Sequence, residues 1–173
     1  MKTTLHGMQR GTKSSAPTVD IVQFAALEIG GNTYALDIMR IKGIYNPLPI
    51  TPVPRAPAFI EGVTELRGAI LPVVDMRKRF DAPATLPFNR SVKFVLVAIE
   101  KRIVALIVDG VIEVMRIARG DVRAAPPMAT GEASPYFSGV LHNKGRIIMI
   151  VDLDAILTSS ERISLAGVAP GAG

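Results

Sequence analysis

Cysteine is absent from this chain of 173 residues, which excludes disulfide bonds, thiolate metal sites and a cysteine nucleophile. Tryptophan is also absent, aromatic residues make up only 5%, and histidine occurs twice, as His6 and His142. One histidine lies in a polar N-terminal tail and the other in a predicted turn, so they cannot form an acid–base pair or a multi-histidine metal site. We therefore expect no enzymatic activity, no metal and no cofactor.

Several sequence signatures are missing as well. There is no GxxxxGK[ST], no strand-linked GxGxxG and no GxSxG, so phosphate-loop, dinucleotide-binding and hydrolase functions lack a starting point. No apolar run approaches the roughly 20 residues that span a membrane. The first 20 residues lack the apolar core of a signal peptide. These features predict a soluble, cytoplasmic protein.

The charge of the chain is basic. Twenty Lys and Arg against 15 Asp and Glu give a formal net charge of +5, and the sequence pI is near 9.8. A basic balance of this kind raises the hypothesis of a nucleic-acid-binding β-barrel. Such barrels use aromatic residues interleaved with basic ones, and aromatics are scarce here, so this remains a distant alternative.

Short runs rich in aliphatic and β-branched residues recur along the chain, separated by 13 prolines and 15 glycines. The runs are IVQFAALEI, NTYALDI, IKGIYN, GAILPVV, VKFVLVAI, RIVALIVD, VIEVMRI and RIIMIV. They predict a mainly β fold over residues 21–160, with short helices at most. Residues 1–20 have the composition of a disordered tail and residues 161–173 that of a flexible one.

The chain contains an internal repeat. Residues 57–80 align with 134–157 without a gap, and residues 24–44 align with 94–114. The first alignment superposes two glycine pairs and one aspartate pair: Gly62 with Gly139, Gly68 with Gly145, and Asp75 with Asp152. Repeats at about 24–80 and 94–157 predict two similar small barrels side by side, with a seam between them where partners dock.

Local chemistry explains four of the aligned residues as structural. Asp75 and Asp152 each follow a strand, where a carboxylate can cap the start of a short helix. Gly62 and Gly139 follow aromatic residues, at positions where the lack of a Cβ permits positive φ or a close backbone crossing.

The segments FAALEIGGNTYALDIMRI, TPVPRAPAFIEGVTELRGAILPVVDMRKRF, IVALIVDGVIEVMRI, PYFSGVL and IIMIVDLDAIL together resemble the CheW coupling proteins of bacterial chemotaxis, over roughly residues 22–158. The resemblance implies two interleaved five-stranded SH3-like barrels without catalysis. It implies an adaptor that couples chemoreceptors, the methyl-accepting chemotaxis proteins, to the histidine kinase CheA. A related adaptor of a pilus-motility or other chemosensory-like pathway is the alternative.

The same resemblance implies the partners. They are the cytoplasmic tips of chemoreceptors and the regulatory domain of a CheA-type kinase, with homologous CheW-like folds as further neighbours in closed rings. Nucleic acid is not among them. Contact with the membrane would be indirect, through the receptor array.

The resemblance also implies two sets of binding residues. The receptor-binding set is Ile41, Arg67, Ile70, Val111 and Val114. The kinase-binding set is Ile44, Tyr45, Ile50, Thr51 and Val53, in and after a hairpin with a proline-rich loop. Each aliphatic member of the receptor-binding set could instead be an ordinary core residue.

Two positions depart from the family pattern. Gly43 stands where the family commonly has an acid that pairs with the arginine matched by Arg67, and Glu65 stands where it usually has asparagine. If ELRG is extended, Glu65 and Arg67 lie on one face, so we expect Glu65 to replace the missing acid. Otherwise the receptor itself, or another carboxylate such as Glu61, must hold Arg67.

Overall fold

The computed structural model of the chain describes residues 16–82, 91–125 and 136–157. Apart from residues 16–20, the predicted tails 1–20 and 161–173 lie outside the described residues. The strands are β1 Ile21–Ile29, β2 Asn32–Asp37, β3 Ile41–Tyr45, β4 Ile60–Leu66, β5 Ala69–Asp75, β6 Lys93–Ile99, β7 Arg102–Val108, β8 Gly110–Ala118, β9 Val122–Ala124, β10 Phe137–Asn143 and β11 Arg146–Val151. The helices are α1 Met76–Arg79 and α2 Leu153–Ile156, and 3-10 turns occupy Ile38–Arg40 and Arg119–Asp121.

The predicted mainly β class with short helices is confirmed. Each of the eight predicted runs is a strand, but β4, β9 and β10 were not predicted as strands. In β4 and β10 a glycine interrupts the aliphatic pattern, and β9 has only three residues. Strands of this composition are identified from their pairing with neighbouring strands more than from their own residues.

The strands form two sheets. The six-stranded sheet has the order β8-β1-β2-β11-β10-β9 and the five-stranded sheet the order β3-β6-β7-β5-β4. In each sheet one pair is parallel, β2 with β11 and β5 with β7, and the other pairs are antiparallel. The hairpin β1–β2 of the first repeat therefore lies among strands of the second, and β6–β7 of the second lies among strands of the first.

This exchange corrects the expectation of one barrel per repeat, because neither repeat forms a sheet alone. The sheets are nevertheless equivalent strand by strand when β3, β4 and β5 are matched to β8, β10 and β11. Even the short β9, which pairs Arg123 with Val140, has a counterpart in the single bridge between Thr51 and Val63. The interleaved arrangement is thus confirmed.

Three apolar clusters hold the fold together. One lies between the sheets and takes residues from both repeats, including Leu27 and Leu36 from the six-stranded sheet and Val95 and Leu106 from the five-stranded sheet. We call it the central core. The other two clusters belong to one sheet each, with Leu141 in the first and Phe94 in the second. Burial of the central core is what joins the two sheets.

Candidate functional site

Gly62 and Gly139 occupy equivalent positions, each just after a β-bulge and paired with β5 or β11. Gly62 has a φ of +142°, and a Cβ on it would stand 2.1 Å from the carbonyl oxygen of Thr51. On Gly139 a Cβ would stand 2.6 Å from the carbonyl oxygen of Arg123. Both glycines therefore allow another segment of the chain to cross closely over the sheet.

Asp75 and Asp152 cap the two short helices. The Asp75 Oδ1 accepts the backbone N–H of Arg77 at 2.9 Å, and the Asp152 Oδ1 accepts that of Asp154 at 3.0 Å. These bonds satisfy N–H groups that the first helical turn leaves without a partner.

Arg77 forms a buried ionic network that the sequence did not indicate. Its guanidinium contacts Asp75 at 2.9 Å and Asp109 at 3.3 Å, and Asp109 in turn accepts the N–H of Gly30 at 2.7 Å. The hydrogen bond with Asp75 is the main cause that raises the pKa of Arg77 above its usual value. The network connects α1 with the β7–β8 junction and with the β1–β2 turn. These ionic and hydrogen bonds therefore link the two repeats.

An ion pair at the equivalent place has the opposite polarity. The repeat aligns Arg77 with Asp154, and Asp154 accepts from Arg40 at 2.8 Å. Arg40 also donates to the carbonyl of Ala98 at 2.8 Å. Helix α1 is thus joined through Arg77 to the connection before β8, and helix α2 is joined through Asp154 to the connection before β3. In both cases the helix of one repeat is tied to the edge strand of the other repeat.

Aromatic side chains meet where the two repeats join. The rings of Tyr34 and Phe137 stack at 5.7 Å, and Phe80 lies 5.1 Å from the first and 5.4 Å from the second. Burial raises the pKa of the Tyr34 hydroxyl. This cluster packs against the central core and therefore acts as a structural seam.

The residues predicted to bind the receptor differ in their exposure to solvent. Ile41 on β3 and Val111 on β8 are half-buried against the central core. Val114 on β8 is 52% exposed and Ile70 on β5 is 38% exposed. Ile41 and Val111 therefore contribute in part to core packing. Val114 and Ile70 present apolar surface to solvent.

The strands β3 and β8 are equivalent edges, one in each sheet. Each contains a bulge that leaves one residue unpaired, Lys42 in β3 and Ile112 in β8. Each also exposes aliphatic side chains: Ile44 is 46% exposed, and Ile112 is 54% exposed beside Val114. Exposed apolar residues on an unpaired edge are typical of a protein-binding surface.

Arg67 does not lie in an extended segment, so this part of the sequence expectation is wrong. Leu66 pairs with Ala69, and the two residues between them have φ values of +51° and +81°, the geometry of a type I′ turn. Glu65 remains in β4 opposite Ile70. Within the described residues the two side chains form no ion pair.

The residues predicted to bind the kinase lie along β3 and the segment after it. Ile44 and Thr51 are exposed, and Thr51 exchanges two backbone hydrogen bonds with Val63 at 2.8 and 2.9 Å. Tyr45 and Ile50 are half-buried against the cluster of the five-stranded sheet. Val53 is also half-buried. Ile44 and Thr51 are therefore the members of this set that are free to meet a partner.

Other features of the surface were not foreseen. A groove of about 430 Å³ lies between β1 and the two 3-10 turns, lined by Ile21, Met39 and Arg119 among others. Within the three described ranges, no group of His, Cys, Asp and Glu has the arrangement of a metal site. In the same ranges, no helix has the length and apolar character needed to cross a membrane.

The chain was compared with known proteins. The family model of the CheW-like domain matches residues 23–161. The chemotaxis protein CheW of Rhizobium meliloti is 34% identical over 140 residues, which cover 81% of this chain and 90% of that protein. CheW of Klebsiella aerogenes is 29% identical over 94% of this chain and 97% of its own length. The crystal structure of the scaffolding protein TtCheW from Thermoanaerobacter tengcongensis has a TM-score of 0.75 and 28% identity, and the match covers 81% of this chain and 94% of that one.

Proposed function

Because the chain belongs to the CheW-like domain family, whose members are non-enzymatic scaffold and adaptor proteins, we propose that it couples chemoreceptors to a CheA-type histidine kinase. The observation that carries the proposal is the family match over residues 23–161. The coupling would take place beneath the membrane, with the receptors as the only link to it.

Surface geometry supports a division between two partners. The edge strand β8 exposes Ile112 and Val114, and the edge strand β3 exposes Ile44 next to the proline-rich segment that ends near Thr51. We assign the receptor tip to the surface that includes Val114, Ile70 and Arg67. The kinase regulatory domain is assigned to Ile44 and Thr51.

The edge strand β3, which is assigned to the kinase, also suits assembly into rings. It can bind an unlike surface of a similar two-sheet fold while the β8 surface faces the receptor tip. Contacts of this type close into rings when their rotations permit. A kinase regulatory domain of similar fold could alternate with this chain in such a ring.

The direct test is reconstitution. Purified chain is mixed with the kinase and with receptors in vesicles, and kinase autophosphorylation is measured. We expect strong stimulation only when all three are present. Absence of stimulation, together with absence of binding to the receptor tip and to the kinase regulatory domain, would overturn the proposal.

Val114→Asp should weaken receptor binding by about tenfold or more, because a charge would be buried without a partner when the receptor docks. Val114 is 52% exposed in the free chain, so the free energy of unfolding should change by only about 1 kcal/mol. Titration calorimetry with a receptor-tip fragment measures the first quantity and urea unfolding the second.

Ile147→Asp is the matched control, because Ile147 is 65% exposed on β11 of the same sheet and outside both predicted surfaces. It should bind the receptor fragment like the wild type. Equal binding by wild type and the Val114 variant would remove Val114 from the receptor surface. Val111→Asp is a poorer probe, since Val111 packs against the central core.

A further inference from the structure

A pocket lies at one end of the six-stranded sheet, where the apolar cluster of that sheet gives way to polar side chains. Its volume is about 260 Å³. Ala26 and Ile148, two buried members of the cluster, form the apolar floor. Thr33, Asn143 and Arg146 add a hydroxyl, an amide and a guanidinium to the wall. A few polar groups that converge over an apolar floor are typical of a site for a small ligand.

The equivalent place in the five-stranded sheet is filled by aliphatic side chains. Four residues of the pocket have a leucine or an isoleucine as their equivalent in the repeat: Leu96 for Ala26, Ile103 for Thr33, Leu66 for Asn143 and Leu71 for Ile148. All four aliphatic residues belong to the apolar cluster of the five-stranded sheet or pack against it. The six-stranded sheet therefore has a polar pocket where its counterpart has packed core.

Arg146 gives the pocket its charge. The equivalent residue in the five-stranded sheet is Ala69, so this guanidinium has no counterpart there. Lys144, the other cation of the lining, is paired with Glu113 at 3.2 Å. Arg146 forms no ion pair in the part of the chain that the structure describes. Its guanidinium is therefore available, and its planar fork of N–H groups matches a carboxylate with two parallel hydrogen bonds.

The remaining polar groups of the wall are available as well. Thr33 and Asn143 are half-buried, and neither side chain forms a hydrogen bond with another described residue. Both residues lie in paired strands, Thr33 opposite Glu28 and Asn143 opposite Arg146, so their positions are fixed before a ligand arrives. The carboxylates of Glu28 beside the pocket and Glu113 in its lining disfavour a ligand with a second negative charge.

We propose that this pocket binds a small organic monocarboxylate. The carboxylate of the ligand meets Arg146, its short aliphatic chain lies over Ala26 and Ile148, and Thr33 and Asn143 donate further hydrogen bonds. The site is separate from the assignment of the receptor and kinase surfaces, and it gives the chain a ligand in addition to its protein partners.

The test is titration of the full ¹⁵N-labelled chain with butyrate, acetate, succinate and inorganic phosphate, followed by the NMR shifts of the backbone amides. Butyrate should cause saturable shifts at Thr33, Asn143 and Ile148. It should bind about threefold or more tightly than acetate, because its additional methylene groups are buried on the apolar floor. Succinate and phosphate should bind more weakly than butyrate, because of their second charge or their lack of an aliphatic chain.

Arg146→Gln should weaken butyrate binding about fivefold or more, because the charged fork is lost. Arg116→Gln is the matched control, since Arg116 is an exposed arginine on β8 of the same sheet and outside the lining. This control should change binding by less than about twofold. Thr33→Ile and Asn143→Leu place the aliphatic residues of the other sheet in the pocket, and each should abolish the saturable shifts. Urea unfolding establishes that these two variants fold, and the exposed Arg146 variant decides if they do not.

Four results would overturn the inference. The first is a wild type that shows no saturable shift with butyrate, and the second is equal butyrate binding by the wild type and Arg146→Gln. The third is phosphate binding as tight as that of butyrate, which would mean general attraction of anions. The fourth is loss of receptor-tip binding in Arg146→Gln, which would assign the pocket to an acidic side chain of the receptor instead of a free carboxylate.

Discussion

Replacing Arg77 with methionine should lower the free energy of unfolding by about 3–5 kcal/mol. The side chains of Arg77 and Asp75 are only 7% and 3% exposed. Methionine fills much of the same volume but leaves the Asp75 carboxylate buried beside no cation, and this uncompensated charge is the main cost. Asp109 also loses a contact that helps to hold the β7–β8 junction. Urea unfolding followed by circular dichroism measures the change.

The equivalent ion pair supplies the control. Arg40 and Asp154 have side chains that are 33% and 59% exposed, so Asp154→Asn should cost only about 0–1 kcal/mol. Combining Arg77→Met with Asp75→Asn should restore part of the stability, because the buried charge is then removed. If the single variant at Arg77 is as stable as the wild type, the network does not hold the repeats together.

Gly62→Ala should destabilise the chain by about 2–4 kcal/mol. Alanine is strained at a φ of +142°, and its Cβ would meet the carbonyl oxygen of Thr51 at 2.1 Å. Backbone must move to relieve that contact, and Thr51 belongs to the surface assigned to the kinase. We therefore expect weaker binding of the kinase regulatory domain in addition to a lower melting temperature.

Two other glycines separate the effect of the positive φ from the effect of the close contact. Gly120→Ala should change stability by no more than about 0.5 kcal/mol, because a Cβ there has no neighbour within 4 Å and φ is not positive. Gly139→Ala retains the close contact, to Arg123, without a positive φ. A Gly62→Ala variant as stable as the Gly120→Ala variant would show that the close approach between β4 and Thr51 tolerates a side chain.

Much of the architecture was predictable because it is encoded locally or by repetition. The aliphatic runs marked eight of the strands, since strand residues in a buried sheet are β-branched or apolar whatever their partners are. The gapless alignment of 57–80 with 134–157 found the equivalence of Gly62 and Gly139. Asp75 and Asp152 were recognised as caps because a cap depends only on the next few residues.

By itself, then, the sequence determined the fold class, the duplication, the family and the places where the backbone turns or is capped. Tertiary structure alone decided the exchange of hairpins between the sheets, the partners of Arg77 and the turn that separates Arg67 from Glu65. Val111 and Val114 show why: they look alike in the sequence, yet one packs on the central core and the other is 52% exposed. Burial and ion pairing depend on which distant strands meet, and local periodicity carries no information about that pairing.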